Sequence, residues 1–174
     1  MVDIIVDSRT FHFPDDWRVM KYDNAPYYHN HLKNEHGWRR GLKAVDLIAY
    51  DPSGRILYLI ESKDYRANPR KKNISPEKEF FNKVLDTLTG LVPTALCSTT
   101  ETAGEDKLRY GLRRAKKLRL IYQFEQPEKH SKLFPRAYDP VDMQQKLQQE
   151  LRCFDPHTLV IERQTQHKVR WTVS

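Results

Sequence analysis

Apolar residues recur with two different periods along this chain, and the changes of period mark its elements. Val45-Asp46-Leu47-Ile48-Ala49-Tyr50 and Arg55-Ile56-Leu57-Tyr58-Leu59-Ile60-Glu61 flank Asp51-Pro52-Ser53-Gly54, which predicts two apolar strands around a turn. The stretch from Asp64 to Ser75 is polar and basic and reads as a loop. Ser75-Pro76-Glu77-Lys78-Glu79 then opens a helix with a capping residue, a proline at its first position and acids in its first turn. Within it Phe80, Phe81, Val84, Leu85 and Leu88 recur at three- and four-residue spacing, the mark of a helix burying one face. Gly90 is the expected end and Pro93 the stop.

The weaker segments complete the pattern. Thr94 to Cys97 reads as a short strand, Glu105 to Arg114 as a helix, Leu118 to Phe124 as a strand and Pro140 to Phe154 as an amphipathic helix. Thr158 to Glu162 and Val169 to Val173 are expected to close the sheet, and Tyr28 to Trp38 to form a short helix ending at Gly37. Residues 1–30 mix Ile4-Ile5-Val6 with Pro14, Pro26 and aromatics, and read as an irregular lead-in or short strand. Strands alternating with helices imply an α/β sandwich with a mixed sheet. The length, 174 residues, suits one domain: the lead-in, a core over 41–125, and a C-terminal helix and strands over 126–174.

The hairpin carries the chemistry. With a four-residue turn, Asp51 to Gly54, Tyr50 faces Arg55 and Asp46 faces Leu59; a two-residue turn at Pro52-Ser53 gives the same pairing. Side chains alternate along a strand, so Asp46, Glu61 and Lys63 then share a face, whereas a three-residue turn separates them. Two carboxylates at the end of an apolar sheet, ~5 to 8 Å apart, repel and resist desolvation. A divalent cation resolves that conflict. Hard oxygen donors select Mg2+ or Mn2+, ions that favour one or two carboxylates, several waters and a substrate phosphate. A Lys63 ammonium there can orient an attacking water and offset charge as it builds on the phosphate.

An aspartate on one strand followed across a hairpin by acid-x-lysine on the next resembles the PD-(D/E)xK nuclease superfamily, which includes restriction endonucleases, Holliday-junction resolvases and repair nucleases. The likeness covers mainly residues 41–66, with Val45 where the family name has proline. It implies a restriction-endonuclease-like αβββαβ core and a metal-dependent DNA endonuclease. It further implies ligation by Asp46, Glu61 and the Ser62 backbone carbonyl, with Lys63 near the nucleophile. Many members carry a further acid on a preceding helix; Glu35 is the best placed for that role, and Asp23 competes with it.

Charge changes the picture by its position. A formal charge of +7 favours a polyanionic partner. Arg39, Arg40 and Lys43 precede the hairpin and Arg66, Arg70, Lys71 and Lys72 follow it, which is where phosphate contacts around a scissile bond belong. Arg109, Arg113, Arg114, Lys116, Lys117 and Arg119 form a third group, as readily a solvated face as a binding one. Tyr65 and Trp38 are candidates to stack on bases, although aromatics near hairpins more often pack. His29, His31 and His36 lack a ligand pattern and read as solvated or hydrogen-bonded.

Cys97 and Cys153 are too few for a disulfide scaffold and are expected to be buried free thiols. The longest apolar runs fall far below the ~20 residues of a membrane span, and Met1-Val2-Asp3 does not open a signal peptide, so the expected location is the cytoplasm, without membrane contact. No phosphate-binding glycine loop is present, so any motor would be a separate protein. The alternatives to a DNA endonuclease are a ribonuclease with the same site and a catalytically silent nucleic-acid-binding subunit of a larger complex. A cutter of both strands of a duplex is expected to act as a homodimer.

Overall fold

The apolar runs around Pro52–Gly54 form an antiparallel hairpin, β4 (Leu47–Asp51) and β5 (Ile56–Asp64), in a computed structural model that describes residues 1–33, 41–66, 74–96, 103–127 and 138–174. Asp51 sets the turn. Its Oδ1 accepts the N–H groups of Ser53 at 2.9 Å and Gly54 at 3.2 Å and the Ser53 hydroxyl at 2.7 Å. Arg55 leaves the turn with a left-handed φ of 53°. Asp51 therefore stays in the ladder, opposite Ile56, and the register runs back to Leu47 opposite Ile60. The expected pairing of Tyr50 with Arg55 is wrong by two residues: Tyr50 faces Leu57, and one step before Leu47, Asp46 falls opposite Glu61 rather than Leu59. A slip of two leaves every side chain on its original face.

The hairpin sits in a five-stranded sheet with β3 (Arg18–Lys21), β6 (Lys117–Glu125) and β7 (Leu159–Ile161), in the order β3-β4-β5-β6-β7. The β3, β4 and β5 pairings are antiparallel, while β5–β6 and β6–β7 are parallel. Parallel neighbours need crossovers. Helices α1 (Pro76–Leu96) and α2 (Ala103–Arg114) lie between β5 and β6, and α3 (Pro140–Glu150) between β6 and β7. The chain is thus α/β, with a mixed sheet flanked by helices, as its alternating pattern implied.

Of the irregular lead-in or short strand expected over residues 1–30, strands prevail and are more numerous than expected: β1 (Val2–Val6) and β2 (Arg9–Phe13) form a hairpin, followed by β3. Asp7 takes the positive φ, 53°, that so tight a connection demands. Alternation was present, since Arg9, Phe11 and Phe13 are buried while Thr10 and His12 are less so. The last strand, β8 (Thr172–Val173), was expected in the main sheet but pairs with β2, giving a second sheet ordered β1-β2-β8.

Period two along the large sheet divides the core between its faces. Ile48, Tyr50, Leu57, Leu59, Leu120 and Tyr122 meet the helices through Phe80, Val84, Leu91, Leu108 and Leu147. Leu47, Ala49, Ile60, Ile121 and Ile161 meet Phe11, Phe13, Trp17 and Trp171 of the small-sheet side. Each such side chain contributes ~1.5–3 kcal/mol on burial, so both packings hold the large sheet in place.

Helix ends also differ from expectation. α1 passes Gly90 and Pro93 and is helical through Leu96, so Thr94 to Leu96 are helical rather than a strand; Cys97 lies outside the described residues. Gly90 serves contact, not termination, because a Cβ there would sit 2.6 Å from Leu32 Cδ1 and 2.9 Å from the Tyr22 hydroxyl oxygen. Pro93 lies inside α1, where its missing N–H removes a hydrogen bond. α3 is capped by Asp139, which accepts the Val141 N–H at 2.8 Å, and ends before Cys153, an exposed free thiol rather than a buried one. Of the expected helix from Tyr28 to Trp38, a π-helical turn spans Tyr28–Leu32, and residues 34–40 are outside the described set.

Candidate functional site

Asp46, Glu61 and Lys63 do meet, on the helix-facing side of the sheet, as strand alternation requires. Lys63 Nζ lies 2.5 Å from Glu61 Oε1 and 3.8 Å from Asp46 Oδ2. The Ser62 N–H donates to Asp46 Oδ2 at 2.7 Å, which fixes the carboxylate of a residue just outside β4. A fourth member, missed in the sequence, comes from α1. Lys83 Nζ donates to Glu61 Oε1 and Oε2 at 2.7 and 3.0 Å and lies 3.6 Å from Asp46 Oδ1. Its signal was available: Lys83 falls three residues after Phe80 and four before Thr87, both buried, so it sits on the helix's inward stripe.

Two carboxylates and two ammonium groups form a nearly neutral cluster in which Glu61 is buried and Asp46, Lys83 and Lys63 keep some exposure. The Glu61 side chain is 1% exposed. Burial, then the nearby Asp46 charge, pushes its carboxyl above the ordinary range, opposed by Lys83 and Lys63. Burial alone would lower Lys63, yet Glu61 and Asp46 outweigh it and hold that ammonium above its usual range. Lys63 is therefore a permanent cation at neutral pH, and its charge is part of what keeps Glu61 ionisable.

Asp23 stands at the edge of this cluster, on a 3-10 turn (Tyr22–Asn24) that follows β3. The Tyr22 N–H donates to the Asp46 carbonyl at 2.9 Å, which ties that turn to the start of β4. Asp23 Oδ1 is buried without a hydrogen-bond partner among the described residues. Burial first and Asp46 second raise the Asp23 carboxyl, while Lys21 and Lys83 oppose them. Glu35, the preferred acid from the sequence, lies outside the described residues; Asp23 is the alternative that the structure brings beside Asp46.

Ser62 presents its hydroxyl to the opposite face, where it accepts from Arg9 Nη2. Arg9 is buried, with its Nε and Nη1 unpartnered among the described residues. Its role was not legible in the sequence, because β1–β2 reaches β5 only by packing against the back of the sheet.

The basic residues are placed unevenly. Lys43 is exposed three positions before Asp46, its N–H held by Asp86 Oδ2 at 2.9 Å. Arg66 is engaged, donating from Nε at 2.9 Å and Nη2 at 2.6 Å to Asp64, whose carboxyl it pushes down to about 2. Arg39, Arg40, Arg70, Lys71 and Lys72 lie outside the described residues, as do Trp38 and His36. Tyr65 is no stacking platform: it is buried, bonded to the Tyr122 hydroxyl at 2.8 Å and packed on Phe124 and Tyr138. His29 bonds the Asp23 carbonyl at 2.7 Å, and the His31 ring lies 4.8 Å from that of Tyr27.

For a divalent cation, the donor set is Asp46 and Glu61. No group of three or more His, Cys, Asp or Glu side chains is gathered as a metal site among the described residues. Two carboxylates nevertheless suffice for an ion that keeps most of its waters, so the residues present fit Mg2+ or Mn2+.

No family model matches the chain, and no solved structure matches it. The chain is similar to a cysteine–tRNA ligase of Neisseria meningitidis serogroup A / serotype 4A, 27% identical over 166 residues, covering 80% of this chain and 23% of that protein. It thus spans about a quarter of that relative's length. A likeness this distant shows no family. Among the described residues, no helix is long and apolar enough to cross a membrane.

Proposed function

We propose that this chain is a metal-dependent nuclease of the PD-(D/E)xK type, hydrolysing phosphodiester bonds as a DNA endonuclease. The observation that carries this reading is the convergence of Asp46 and Glu61 on the same two ammonium groups at one end of the sheet. The order of elements supports a restriction-endonuclease-like core: the antiparallel run β3–β4–β5, then a helical crossover into parallel β6.

In this reading Asp46 and Glu61 hold Mg2+ or Mn2+. The ion would lower the pKa of a water and offset charge on the phosphate in the transition state. Ser62 fixes Asp46 through its N–H, and Arg9 fixes Ser62 from behind. Lys63, cationic throughout the neutral range, orients the nucleophile and stabilises charge building on the phosphate oxygens. Lys83 neutralises Glu61 when no cation is present.

The decisive experiment is cleavage of single-stranded, double-stranded and junction DNA in Mg2+ or Mn2+ by wild type, Asp46→Ala and Lys63→Ala. Wild type is expected to cut and both variants to lose cutting while keeping fold and salt-sensitive binding. Undiminished cutting by both variants refutes the assignment. A second reading, a silent nucleic-acid-binding subunit, is favoured by one observation: Lys83 and Lys63 satisfy Glu61 without any metal. Binding without cleavage in either metal supports it. Because the distant relative's name refers to tRNA, structured RNA belongs in the same panel as the test of a ribonuclease.

A further inference from the structure

The third basic group of the sequence does two different jobs in the fold. Arg109 and Arg113 donate from Nε to the carbonyls of Thr94 at 3.3 Å and Ala95 at 3.2 Å, among the last described residues of α1. Arg119 pairs with the buried Asp155 at 2.8 Å. The remaining three, Arg114, Lys116 and Lys117, gather at the opposite corner of the sheet with Arg18 of β3 and Arg55 of the β4–β5 turn. The Arg55 carbonyl accepts the N–H groups of Lys116 at 2.8 Å and Lys117 at 3.3 Å, and Arg55 Nε donates to the Arg114 carbonyl at 3.2 Å.

Tyr110 organises the corner. The guanidinium carbons of Arg18 and Arg114 lie 3.9 and 3.7 Å from its ring centroid. Two guanidiniums that close cannot share one face, so the ring lies between them and holds the charges within about 8 Å of each other. Gly111 permits the arrangement, since a Cβ there would come within 2.8 Å of Tyr50 Cβ; α2 therefore lies directly on β4. Among the described residues none of the five cations forms an ion pair with a carboxylate, and Arg55, Arg114, Lys116 and Lys117 are exposed. Like charges fixed together without counter-ions form a focused positive surface, the kind a polyanion neutralises.

We propose that Arg18, Arg55, Arg114, Lys116 and Lys117 form a second docking surface for the phosphate backbone of nucleic acid, remote from Asp46 and Glu61. The proposal rests on the nuclease reading for its choice of polyanion. Arg55 and Glu61 are six residue steps apart along the strand, roughly 20 Å. That span corresponds to about six base pairs at 3.4 Å each, so a duplex held at both places is gripped well beyond the bond to be cut. A lipid surface is the poorer fit, because basic membrane-binding faces also carry apolar residues that insert. The exposed large hydrophobics Met1, Ile5, Val92, Leu96 and Val141 all lie on other elements. Both faces of Tyr110 are covered by guanidinium, so the surface reads charge and not bases.

The test compares Lys116→Glu/Lys117→Glu with a control that reverses the same charge elsewhere, Arg152→Glu/Lys168→Glu, all four side chains being exposed. Fluorescence anisotropy with labelled duplexes of about 20 and about five base pairs, across a salt series, reads binding. The first pair is expected to weaken the long duplex about tenfold or more and to reduce the log–log salt slope by about 2, and the control to do neither. Wild type is expected to favour the long duplex and the first pair to lose that preference. Equal losses in both variants, or no loss in the first, overturn the proposal, as does wild-type binding to phosphatidylserine vesicles without binding to nucleic acid. Circular dichroism checks the fold, and the milder Arg114→Gln is expected to show a smaller loss in the same direction. If cleavage fails while these binding differences stand, the nuclease reading falls and the docking surface does not.

Discussion

Replacing Lys83 with methionine separates a metal site from a self-satisfied ion cluster. The change keeps much of the side-chain volume and removes one of two ammonium groups serving Glu61, whose side chain is 1% exposed. Breaking a buried ion pair by removing one partner costs about 3–5 kcal/mol. Lys63 remains at 2.5 Å from Glu61, and Lys83 is itself 14% exposed, so the cost in the metal-free protein is discounted below that range, to about 2–3 kcal/mol. For a chain of this size that lowers Tm by about 5–10 °C. A divalent cation that binds only the folded state adds stability by mass action, about 2.7 kcal/mol at a hundredfold excess over Kd. Since Lys83 and the cation use the same carboxylates, the variant should gain more from Mg2+ or Mn2+ than wild type does. The assay is urea or thermal unfolding of both proteins in chelator and in excess metal. Equal metal increments in the two proteins would refute competition at Glu61 and Asp46, and an unchanged metal-free stability would refute the buried pair itself.

Further outcomes follow from the carboxylate cluster and from the packing of α2 on β4. The folded Glu61 pKa is raised above its unfolded value of about 4.3, so the folded state binds the extra proton and Glu61's contribution to metal-free stability declines as pH rises through that window. Metal affinity should move oppositely, falling on acidification through the same window; calorimetric titration of Mn2+ against pH reads it, and affinity flat down to about pH 4.3 counts against Glu61 as ligand. Asp23→Asn should stabilise the metal-free protein slightly, by removing a charge that burial and Asp46 disfavour, yet weaken Mn2+ binding about tenfold if its free oxygen serves the ion; unchanged affinity would make Asp23 a bystander. Gly111→Ala should cost about 1–3 kcal/mol despite its better helix propensity, because Tyr50 Cβ is attached to a central strand and cannot yield, so a stabilised variant in urea unfolding would contradict the close packing of α2 on β4.

How much of the site was readable depended on how each residue reaches it. Asp46, Glu61 and Lys63 were found because all three belong to one hairpin, and the turn shaped by Asp51 and Arg55 altered its register by an even number. Lys83 was overlooked even though it interrupts an inward stripe of α1, since a lysine at the margin of such a stripe usually reaches solvent. Arg9 carried no signal of its own. Gly90 read as a helix end because glycine's commonest role near a C-terminus is to cap, whereas here it admits Leu32 and Tyr22 against α1. Residues 2–13 hid a hairpin because a turn at Asp7-Ser8 lacks the glycine that usually announces one.

The sequence by itself determined which face each strand residue occupies, because alternation is a property of the extended backbone and survives a two-residue slip. It also determined the acid–base chemistry available at the end of β5. Only the tertiary structure decided what stands opposite those groups: Lys83 across from Glu61, Asp23 beside Asp46, Arg9 behind Ser62, and Arg18 across Tyr110 from Arg114. The physical reason is that local periodicity encodes direction, whereas the identity of a neighbour depends on how helices and sheets distant in sequence pack against that direction.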